Sequence, residues 1–432
     1  MLLLSAMTSS GRDRFGNAID PGVGYARGTI LKGTDEEVAK TLRARQLVRA
    51  RIEAKGRDAV HDLTGMNRGA ALSADDLAGL ASHVPFFAAF EGRAEPYALR
   101  HMSADPATHD ALILNRVSAA NFVALTTIVA AGDRVLGLAP VGGITHPSVR
   151  RPLATVGAAF EELHTLADLE RAWAVAPPRL LVITPISASK HHLDGHAFRG
   201  ALRLPRPPGT LVFVDDAHMA SHIAFFDEPP TFAMGDVDLA VCSADKHVAG
   251  PRAGVLVGRK PLVTTIRSHA FELGLDAQAS QYVGVGNALR DFDPKPVAEA
   301  GRLARTLLDL LVSRYDARRV YLGGPGVSMS GDDALEIALQ AAGRSGDAPL
   351  VPVEAACLVA LAMLESDGIL TIGAVAMPGS APVVRLMMYP DGARLGADRI
   401  ADALARGLAQ LSLAVAGKLD ARAILLGRQH DS

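Results

Sequence analysis

Lys246 is the residue of this sequence that most directly suggests covalent chemistry. It lies within residues 237–258, in a polar, glycine-containing turn between two short apolar runs, 239–242 and 254–257, which predict two strands. Lysine is scarce in this chain, which uses arginine almost everywhere a basic residue is needed. A desolvated lysine can lose its proton and attack a carbonyl carbon, whereas arginine stays charged. We therefore predict that Lys246 forms a Schiff base.

The second candidate group is the run Asp215, Asp216, Ala217 and His218, which follows the apolar segment 211–214. An apolar strand that ends in acids places carboxylates at the carboxyl edge of a sheet, where open α/β sheets bind ligands. An aspartate there could pair with a protonated pyridine nitrogen and keep the ring an electron sink. A flat ring could lie against Ala217, and His218 could donate to a ring oxygen or to substrate. The alternative is that these acids only cap a helix.

Two further turns could contact a flat, anionic ligand. Residues 115–121 place Ser118 and Ala119 between a predicted strand and a predicted helix, where free backbone N–H groups favour a phosphate. The turn lacks the spacing of a Walker A loop or a dinucleotide fingerprint, and an ordinary helix cap is its alternative. In 141–147, glycines precede His146, whose imidazole could then stack on a ring. A surface or core histidine is the alternative there.

The elements that carry these residues alternate between strand and helix. Strand patterns at 111–115, 135–139, 180–184 and 211–214 are separated by helical patterns, and their near-continuous apolar character is typical of a sheet covered on both faces. The sequence therefore predicts an α/β fold with a large doubly wound, mainly parallel sheet in 101–292. A smaller α/β domain is predicted in 293–432, with a helix at 297–315 and strands at 370–375 and 383–388.

The N-terminal part of the chain is predicted to form an arm and a helical segment that pack with the smaller domain. This part covers residues 1–100. Thr34 and Glu37 suggest a capping box, and the spacing of Val38 and Leu42 predicts an amphipathic helix that continues to Lys55. Residues 57–108 show no clear pattern apart from a short helix near 73–82.

Composition narrows the classes of function. The chain has 432 residues, 49% of them hydrophobic and 21% charged, and a formal net charge of −2, so the sequence predicts a globular protein without the basic surface that nucleic acids require. Cys242 and Cys357 are the only cysteines, which speaks against a disulfide framework or a cysteine zinc site. No metal site is predicted. No segment suggests export or a membrane span, so we expect a cytoplasmic protein.

Taken together, the small-residue turn, the loop histidine, the Asp-x-Ala-His run and the Ser-x-x-Lys run resemble the fold type I family of pyridoxal-phosphate enzymes. The run 243–258, SADKHVAGPRAGVLVG, looks most like the selenocysteine-synthase-like branch of that family. The resemblance implies a fold type I architecture and pyridoxal 5'-phosphate as cofactor. It covers residues 110–290 well, and the flanking parts only in general layout.

Carried over to this sequence, the resemblance assigns a role to each candidate residue. Lys246 would form the internal aldimine and later move the α-proton of the substrate, while His146 and His218 would assist. The cofactor-binding set is implied to be Ser118, Ala119, His146, Asp215, Ala217, His218, Ser243 and Lys246. In that set Asp215 pairs with the pyridine nitrogen, His146 and Ala217 cover the two ring faces, and His218 lies near the ring hydroxyl. Ser118, Ala119 and Ser243 hold the phosphate. Arg385, in a strand of the smaller domain, would bind the substrate carboxylate; an edge-strand arginine is its alternative.

The resemblance leaves the reaction open. The leading hypothesis is an enzyme that binds an amino acid as its external aldimine and eliminates or replaces a β or γ substituent. An aminotransferase is an alternative, and the Asp-Asp-Ala-His run also suggests a decarboxylase, an aldolase or an acyl-CoA-condensing synthase. A non-catalytic cofactor-binding partner protein is a further alternative. The lack of basic charge makes tRNA an unlikely partner, so the selenium reaction itself is in doubt.

Three more expectations concern the surroundings of the site. Enzymes of this fold type build their sites at subunit interfaces, which implies at least a homodimer with residues 282–287 lining the partner's site. His191 and His192 could touch substrate, although a solvated loop is favoured. Arg252, in the Gly-Pro-Arg-Ala-Gly run, is interpreted either as an anion contact or as a turn charge.

Overall fold

The computed structural model describes residues 11–67, 69–82, 89–344 and 348–427. The contacts divide the chain into two units, one formed by residues up to Gly65 together with those from Ala298 onward, and the other by Met66–Val297. In this division residues 66–100 are part of the second unit; the domain limits after residues 100 and 292 stay predictions. The first ten residues of the predicted N-terminal arm lie outside the described part. No helix within the described ranges is long and apolar enough to cross a bilayer.

The strands are numbered along the chain. They are β1 (Ile19–Asp20), β2 (Tyr25–Ala26), β3 (His61–Asp62), β4 (His109–Leu114), β5 (Arg134–Leu138), β6 (Ala159–Leu163), β7 (Leu180–Ile183), β8 (Leu211–Asp215), β9 (Leu239–Ser243), β10 (Gly254–Arg259), β11 (Tyr321–Leu322), β12 (Gly326–Ser330), β13 (Ile369–Leu370) and β14 (Val383–Met387).

The helices are numbered in the same way. They are α1 (Thr34–Lys55), α2 (Ala74–Leu80), α3 (Glu95–Met102), α4 (Val117–Ile128), α5 (Pro147–Val156), α6 (Leu166–Val175), α7 (Gly195–Leu202), α8 (Met219–Phe225), α9 (Lys260–Glu272), α10 (Ala279–Arg290), α11 (Lys295–Arg314), α12 (Gly331–Ala341), α13 (Pro352–Asp367), α14 (Ile372–Val375), α15 (Gly392–Leu395), α16 (Ala397–Val415) and α17 (Ala421–Leu426), with short 3-10 turns at Arg57–Ala59 and Thr231–Ala233.

A seven-stranded sheet organises the unit Met66–Val297. Its strand order is β4-β10-β9-β8-β7-β5-β6, and β10 is the single strand that runs antiparallel to its neighbours. Successive residues of one strand enter apolar clusters on opposite faces: Val212 and Val214 pack in one cluster and Phe213 in the other. Both faces are therefore covered, which is why these strands have continuous apolar sequences. The predicted doubly wound, mainly parallel sheet is confirmed.

The other unit is an α/β assembly built on small sheets. Strands β11, β12 and β14 form an antiparallel sheet, β1 pairs with β2, and β3 pairs in parallel with β13. Its apolar cluster is centred on α13, which is buried along nearly its whole length. Because α13 is buried all round, it lacks the amphipathic period by which a surface helix is recognised in sequence.

Helix α1 has the predicted limits but buries a different face. Val38 and Leu42, whose spacing predicts the helix, are 45% and 49% exposed. The buried face instead carries Glu37 and Lys40, and the Lys40 ammonium donates a hydrogen bond of 2.9 Å to the Gly373 carbonyl oxygen. The first apolar residues of the predicted pattern therefore do not lie on the buried face, because paired polar groups can also be buried.

Two local expectations in this unit are corrected. The capping box at Thr34 is absent, since Gly33 is the N-cap of α1 and makes no side-chain cap. The strand predicted for 370–375 ends at Leu370, and Ile372–Val375 form one helical turn instead. Both patterns are short, and tertiary contacts override weak local preferences in segments of this length.

Candidate active site

The register of the sheet brings the predicted site residues of the unit Met66–Val297 to one edge. In β10, Gly254 pairs with Ser243 of β9 on one side and with Leu114 of β4 on the other. The neighbouring β8 ends at Asp215, which pairs with Val241. The turn that starts α4, the turn that carries Lys246 and the Asp215 carboxylate therefore share the carboxyl edge, as expected for a doubly wound sheet.

Asp215 presents a buried carboxylate that is only partly satisfied. It is 4% exposed, and Asn121 hydrogen-bonds to it. Among the described residues, no group donates to its Oδ1 atom. Burial raises the pKa of Asp215 to about 6, against the opposing influence of Lys246 and Asn121. A buried acceptor without a donor is costly, so this atom is suited to receive an N–H from a ligand.

A chain of side-chain hydrogen bonds links Asp215 to His146. The Nδ2 atom of Asn121 also donates to Ser148 Oγ at 3.0 Å, and Ser148 Oγ lies 2.7 Å from His146 Nδ1. The Ser148 backbone N–H donates to the same Nδ1 at 3.1 Å, so His146 caps α5. Because Nδ1 is an acceptor, the ring carries its proton on Nε2 when neutral.

His146 stays neutral at physiological pH. Burial, together with the nearby cations Lys246 and Arg151, lowers its pKa to about 3. A neutral, oriented imidazole can stack on a ring without adding charge, which agrees with the predicted position of His146. The positive charge of Lys246 lowers the pKa of both His146 and Asp215.

Lys246 occupies the turn between β9 and β10, as predicted. Its backbone forms an antiparallel bridge with Met66, and the Asn67 N–H donates to the Asp245 carbonyl oxygen at 2.8 Å. The next residue, His247, has a left-handed φ of +62° although it is not glycine. Backbone strain of this kind concentrates at functional sites.

The start of α4 offers free backbone donors, as the sequence predicts. Ser118 and Ala119 lie in its first turn, where N–H groups have no helical acceptor. Gly254 lets β10 lie close to the residue that precedes α4, because a Cβ atom at Gly254 would lie 2.6 Å from the Arg116 carbonyl oxygen. Ser243 is buried nearby in β9, but its hydroxyl donates to Asp245 Oδ1 at 2.6 Å.

His218 is paired with Lys190, which is buried, whereas Lys246 is partly buried. Lys190 Nζ lies 2.7 Å from His218 Nδ1, and the two side chains belong to residues that are 2% and 6% exposed. Lys190 has a left-handed φ of +73°, in the loop after β7. Ala217 lies between Asp216 and His218 and is partly buried.

The glycines before His146 have a different role from the expected one. A Cβ atom on Gly142 would lie 2.8 Å from His191 Nε2, and one on Gly143 would lie 2.4 Å from Ser187 Oγ. Glycine at these positions therefore makes room for the loop after β7, and not for His146. His191 itself is held by Ser189 Oγ, 2.9 Å from its Nδ1.

The remaining predicted residues are described within their own units. Arg385 lies in β14 of the α/β assembly, is 7% exposed, and has a pKa lowered by burial to about 10. Residues 282–287 lie in α10, where Tyr282 donates to Glu95 and Asn287 donates to Asp76. Arg252 is partly buried, and its carbonyl oxygen accepts from Gln281. Substrate binding by Arg385 and the interface role of α10 stay predictions.

Sequence reasoning missed Asn121 and Lys190. Asn121 was noted only as the end of the turn 115–121, although an amide among small and apolar residues in the first turns of a predicted helix is a usable signal, because a buried amide needs a partner. Lys190 could also have been identified, because it lies in a polar loop directly after an apolar strand. Neither signal identifies the partner, since Asp215 and His218 lie at and just after the end of another strand, β8.

Comparison with known proteins agrees with the resemblance drawn from the sequence. No family model matches the chain. It is 28% identical over 367 residues to a UPF0425 pyridoxal phosphate-dependent protein of Methanococcus maripaludis, covering 85% of this chain and 95% of that protein. A UPF0425 pyridoxal phosphate-dependent protein of Methanothermobacter thermautotrophicus is 27% identical, with 82% and 89% covered. An L-seryl-tRNA(Sec) selenium transferase of Desulfovibrio desulfuricans is 26% identical over 46% of this chain and 47% of that protein.

Solved structures share the fold. A candidate aminotransferase from Silicibacter pomeroyi superimposes with a TM-score of 0.55 at 18% identity, covering 86% of this chain and 96% of that chain. A chain of the SepCysS–SepCysE N-terminal domain complex gives a TM-score of 0.55 at 12% identity, covering 82% and 95%. The predicted fold type I architecture is confirmed, as is the similarity to the selenocysteine-synthase-like branch.

Proposed function

We propose that this chain is a pyridoxal-phosphate-dependent enzyme that acts on an amino acid and eliminates or replaces a substituent at its β or γ carbon. The observation that carries the proposal is the buried Oδ1 of Asp215, for which the described residues offer no donor. The protonated ring nitrogen of pyridoxal phosphate is a donor of the required kind. The names of the relatives, pyridoxal phosphate-dependent proteins, support the same cofactor.

Asp215 would hold the ring nitrogen through a charge-assisted hydrogen bond. In the free chain its pKa is raised to about 6 by burial, so an adjacent cation would favour the carboxylate form and relieve the cost of burying the charge. The bound cofactor supplies an electron sink for carbanion chemistry at the substrate. Asn121 would keep the carboxylate in place, because it ties Asp215 to Ser148.

Lys246 would supply the amine that attaches the cofactor, and then the base that moves the α-proton. Its turn lies within electrostatic reach of Asp215 and His146. His146, with Nδ1 occupied by Ser148, would present the flat face of a neutral ring. At the start of α4, the backbone N–H groups near Ser118 and Ala119 would bind the phosphate.

The reaction class draws support from two names among similar proteins. One is a selenium transferase that acts on L-seryl-tRNA(Sec), and one is a complex that contains SepCysS. A transfer to a seryl group replaces the substituent on its β carbon, which agrees with the elimination or replacement proposed here. The candidate aminotransferase among the solved structures favours transamination as the second candidate.

An absorbance spectrum with borohydride reduction tests the cofactor part of the proposal. Purified protein should absorb as a lysine imine, and reduction followed by peptide mapping should label Lys246. Lys246→Ala should lose the imine absorbance, whereas Lys260→Ala, a change at the first residue of α9, should keep it. Labelling at Lys190, a buried lysine of the same unit, would contradict the assignment.

A panel of amino acids distinguishes the reaction classes. Elimination should release ammonia and a keto acid together with the leaving group. An aminotransferase should instead keep the amino group on the cofactor and pass it to an added keto acid. Release of carbon dioxide would indicate a decarboxylase, and a spectrum that responds to no amino acid would contradict the proposed activity.

A further inference from the structure

Three side chains with metal-binding atoms converge beside the candidate active site. They are His192, in the loop between β7 and α7, His222 in α8, and Glu228 in the segment after α8. One nitrogen or oxygen atom from each lies within 4.8 Å of the other two. No metal site is predicted from the sequence, where only the two cysteines were considered as metal ligands.

The Glu228 carboxylate lies close to both imidazoles of this cluster. Glu228 Oε2 lies 2.9 Å from His192 Nε2 and 2.6 Å from His222 Nε2. Tetrahedral ligand bonds of about 2.0 to 2.2 Å to a zinc ion place neighbouring ligand atoms about 3.3 to 3.6 Å apart. To admit an ion, the Glu228 carboxylate and the two imidazoles would therefore have to move apart, and the His192 and Glu228 side chains, which are 18% and 14% exposed, lie at the open side of the cluster.

The surroundings of His222 also favour a bound ion. Its side chain is fully buried, and despite the short distance to Glu228 its Nε2 makes no hydrogen bond of acceptable geometry within the described residues. An imidazole nitrogen and a carboxylate oxygen this close need a cation between them, either a proton or a metal ion. A metal ion bound by Nε2 and the Glu228 oxygen would take the place of that proton.

The surroundings of the cluster orient its ligands. His222 Nδ1 lies 3.1 Å from Asp216 Oδ2, which also accepts from the Thr231 hydroxyl at 2.8 Å. A carboxylate on one imidazole nitrogen fixes the tautomer that leaves the other nitrogen free for a metal. The His192 ring is stacked on Phe226, with 3.7 Å between centroids and 9° between planes.

We propose that His192, His222 and Glu228 bind one divalent transition-metal ion, for which zinc is the best match. Two imidazoles and a carboxylate suit zinc and its neighbours better than calcium or magnesium. The exposed edges of His192 and Glu228 provide a path for the ion, and water completes its coordination. The ion joins the loop after β7, which carries Lys190, to α8, which begins directly after His218, so it holds the Lys190–His218 pair in place.

Metal titration of the full-length chain with its cofactor bound tests this site. After treatment with a chelator and dialysis, Zn²⁺ is added and followed by calorimetry, and Co²⁺ is added and followed by its visible d–d bands. We expect one ion per chain. His192→Ala and Glu228→Gln should weaken the affinity at least a hundredfold, and Asp216→Asn about 10- to 100-fold. His196→Ala, an exposed histidine in the first turn of α7, is the matched control and should bind as the original chain does.

The readouts separate loss of the site from loss of the fold. Far-UV circular dichroism should be unchanged in Glu228→Gln, which keeps the shape of the side chain. Bound metal should raise the melting temperature of the original chain and of His196→Ala, but not of Glu228→Gln. The proposal is wrong if the original chain binds no ion, or if His192→Ala and Glu228→Gln bind Zn²⁺ as tightly as His196→Ala does.

Discussion

Replacing Asp215 with asparagine should stabilise the cofactor-free protein at neutral pH. Asp215 has a pKa raised from 3.8 to about 6 by burial, so the folded chain holds this proton more tightly than the unfolded chain does. Stability from this group is therefore complete below pH 4 and falls as the pH rises to 6. Each pKa unit corresponds to about 1.4 kcal/mol, so the ionised carboxylate costs about 3 kcal/mol above pH 6.

Urea unfolding of the cofactor-free chain measures this effect. Trp173, the only tryptophan, lies buried in α6 of the same unit as Asp215, so its fluorescence reports the unfolding of that unit. The stability of Asp215→Asn relative to the original chain should increase by about 1.4 kcal/mol between pH 5 and pH 8, since about half of the titration falls in that interval.

Asp216→Asn is the matched control. Asp216 is equally buried, but its carboxylate accepts hydrogen bonds from His222 and Thr231, so its replacement should destabilise the unit. With pyridoxal phosphate added, the order of Asp215→Asn and the original chain should reverse, because only the carboxylate pairs with the cationic ring. A stability difference between Asp215→Asn and the original chain that does not vary from pH 5 to pH 8 would refute the reasoning.

Three further outcomes are expected from other parts of the molecule. Asn121→Ala should weaken pyridoxal phosphate binding about tenfold or more in an absorbance titration, because it removes a donor to Asp215 worth about 1.5 to 3 kcal/mol; unchanged affinity would contradict this role. His146→Phe should keep more cofactor affinity than His146→Ala, since the ring acts as a neutral stacking surface; equal loss in both would show that the proton on Nε2 matters. Glu37→Ala should destabilise the chain by about 1 to 3 kcal/mol in calorimetry, because it leaves the buried Tyr25 hydroxyl without its acceptor and removes one of the two carboxylates that pair with the partly buried Arg27. The exposed Asp35→Ala should change the stability by less than about 1 kcal/mol.

Local sequence was sufficient for the order of elements around the site. Parallel strands covered on both faces must be apolar throughout, and their carboxyl ends meet at one edge. Asp215 and Lys246 could therefore be assigned to the same edge from the ends of β8 and β9 alone. The fold class followed from the same alternation of strand and helix.

Which side chains touch was decided by the tertiary structure. The sequence pattern cannot tell that Asn121 reaches Asp215, that Lys190 reaches His218, or that His192 and His222 converge on Glu228, because each pair joins segments whose register is set across the sheet. The face of α1 is a similar case. Its apolar spacing does not identify the buried face, because polar side chains of the buried face find hydrogen-bond partners far along the chain. A buried polar group with a partner no longer carries the cost of desolvation that a sequence pattern assumes.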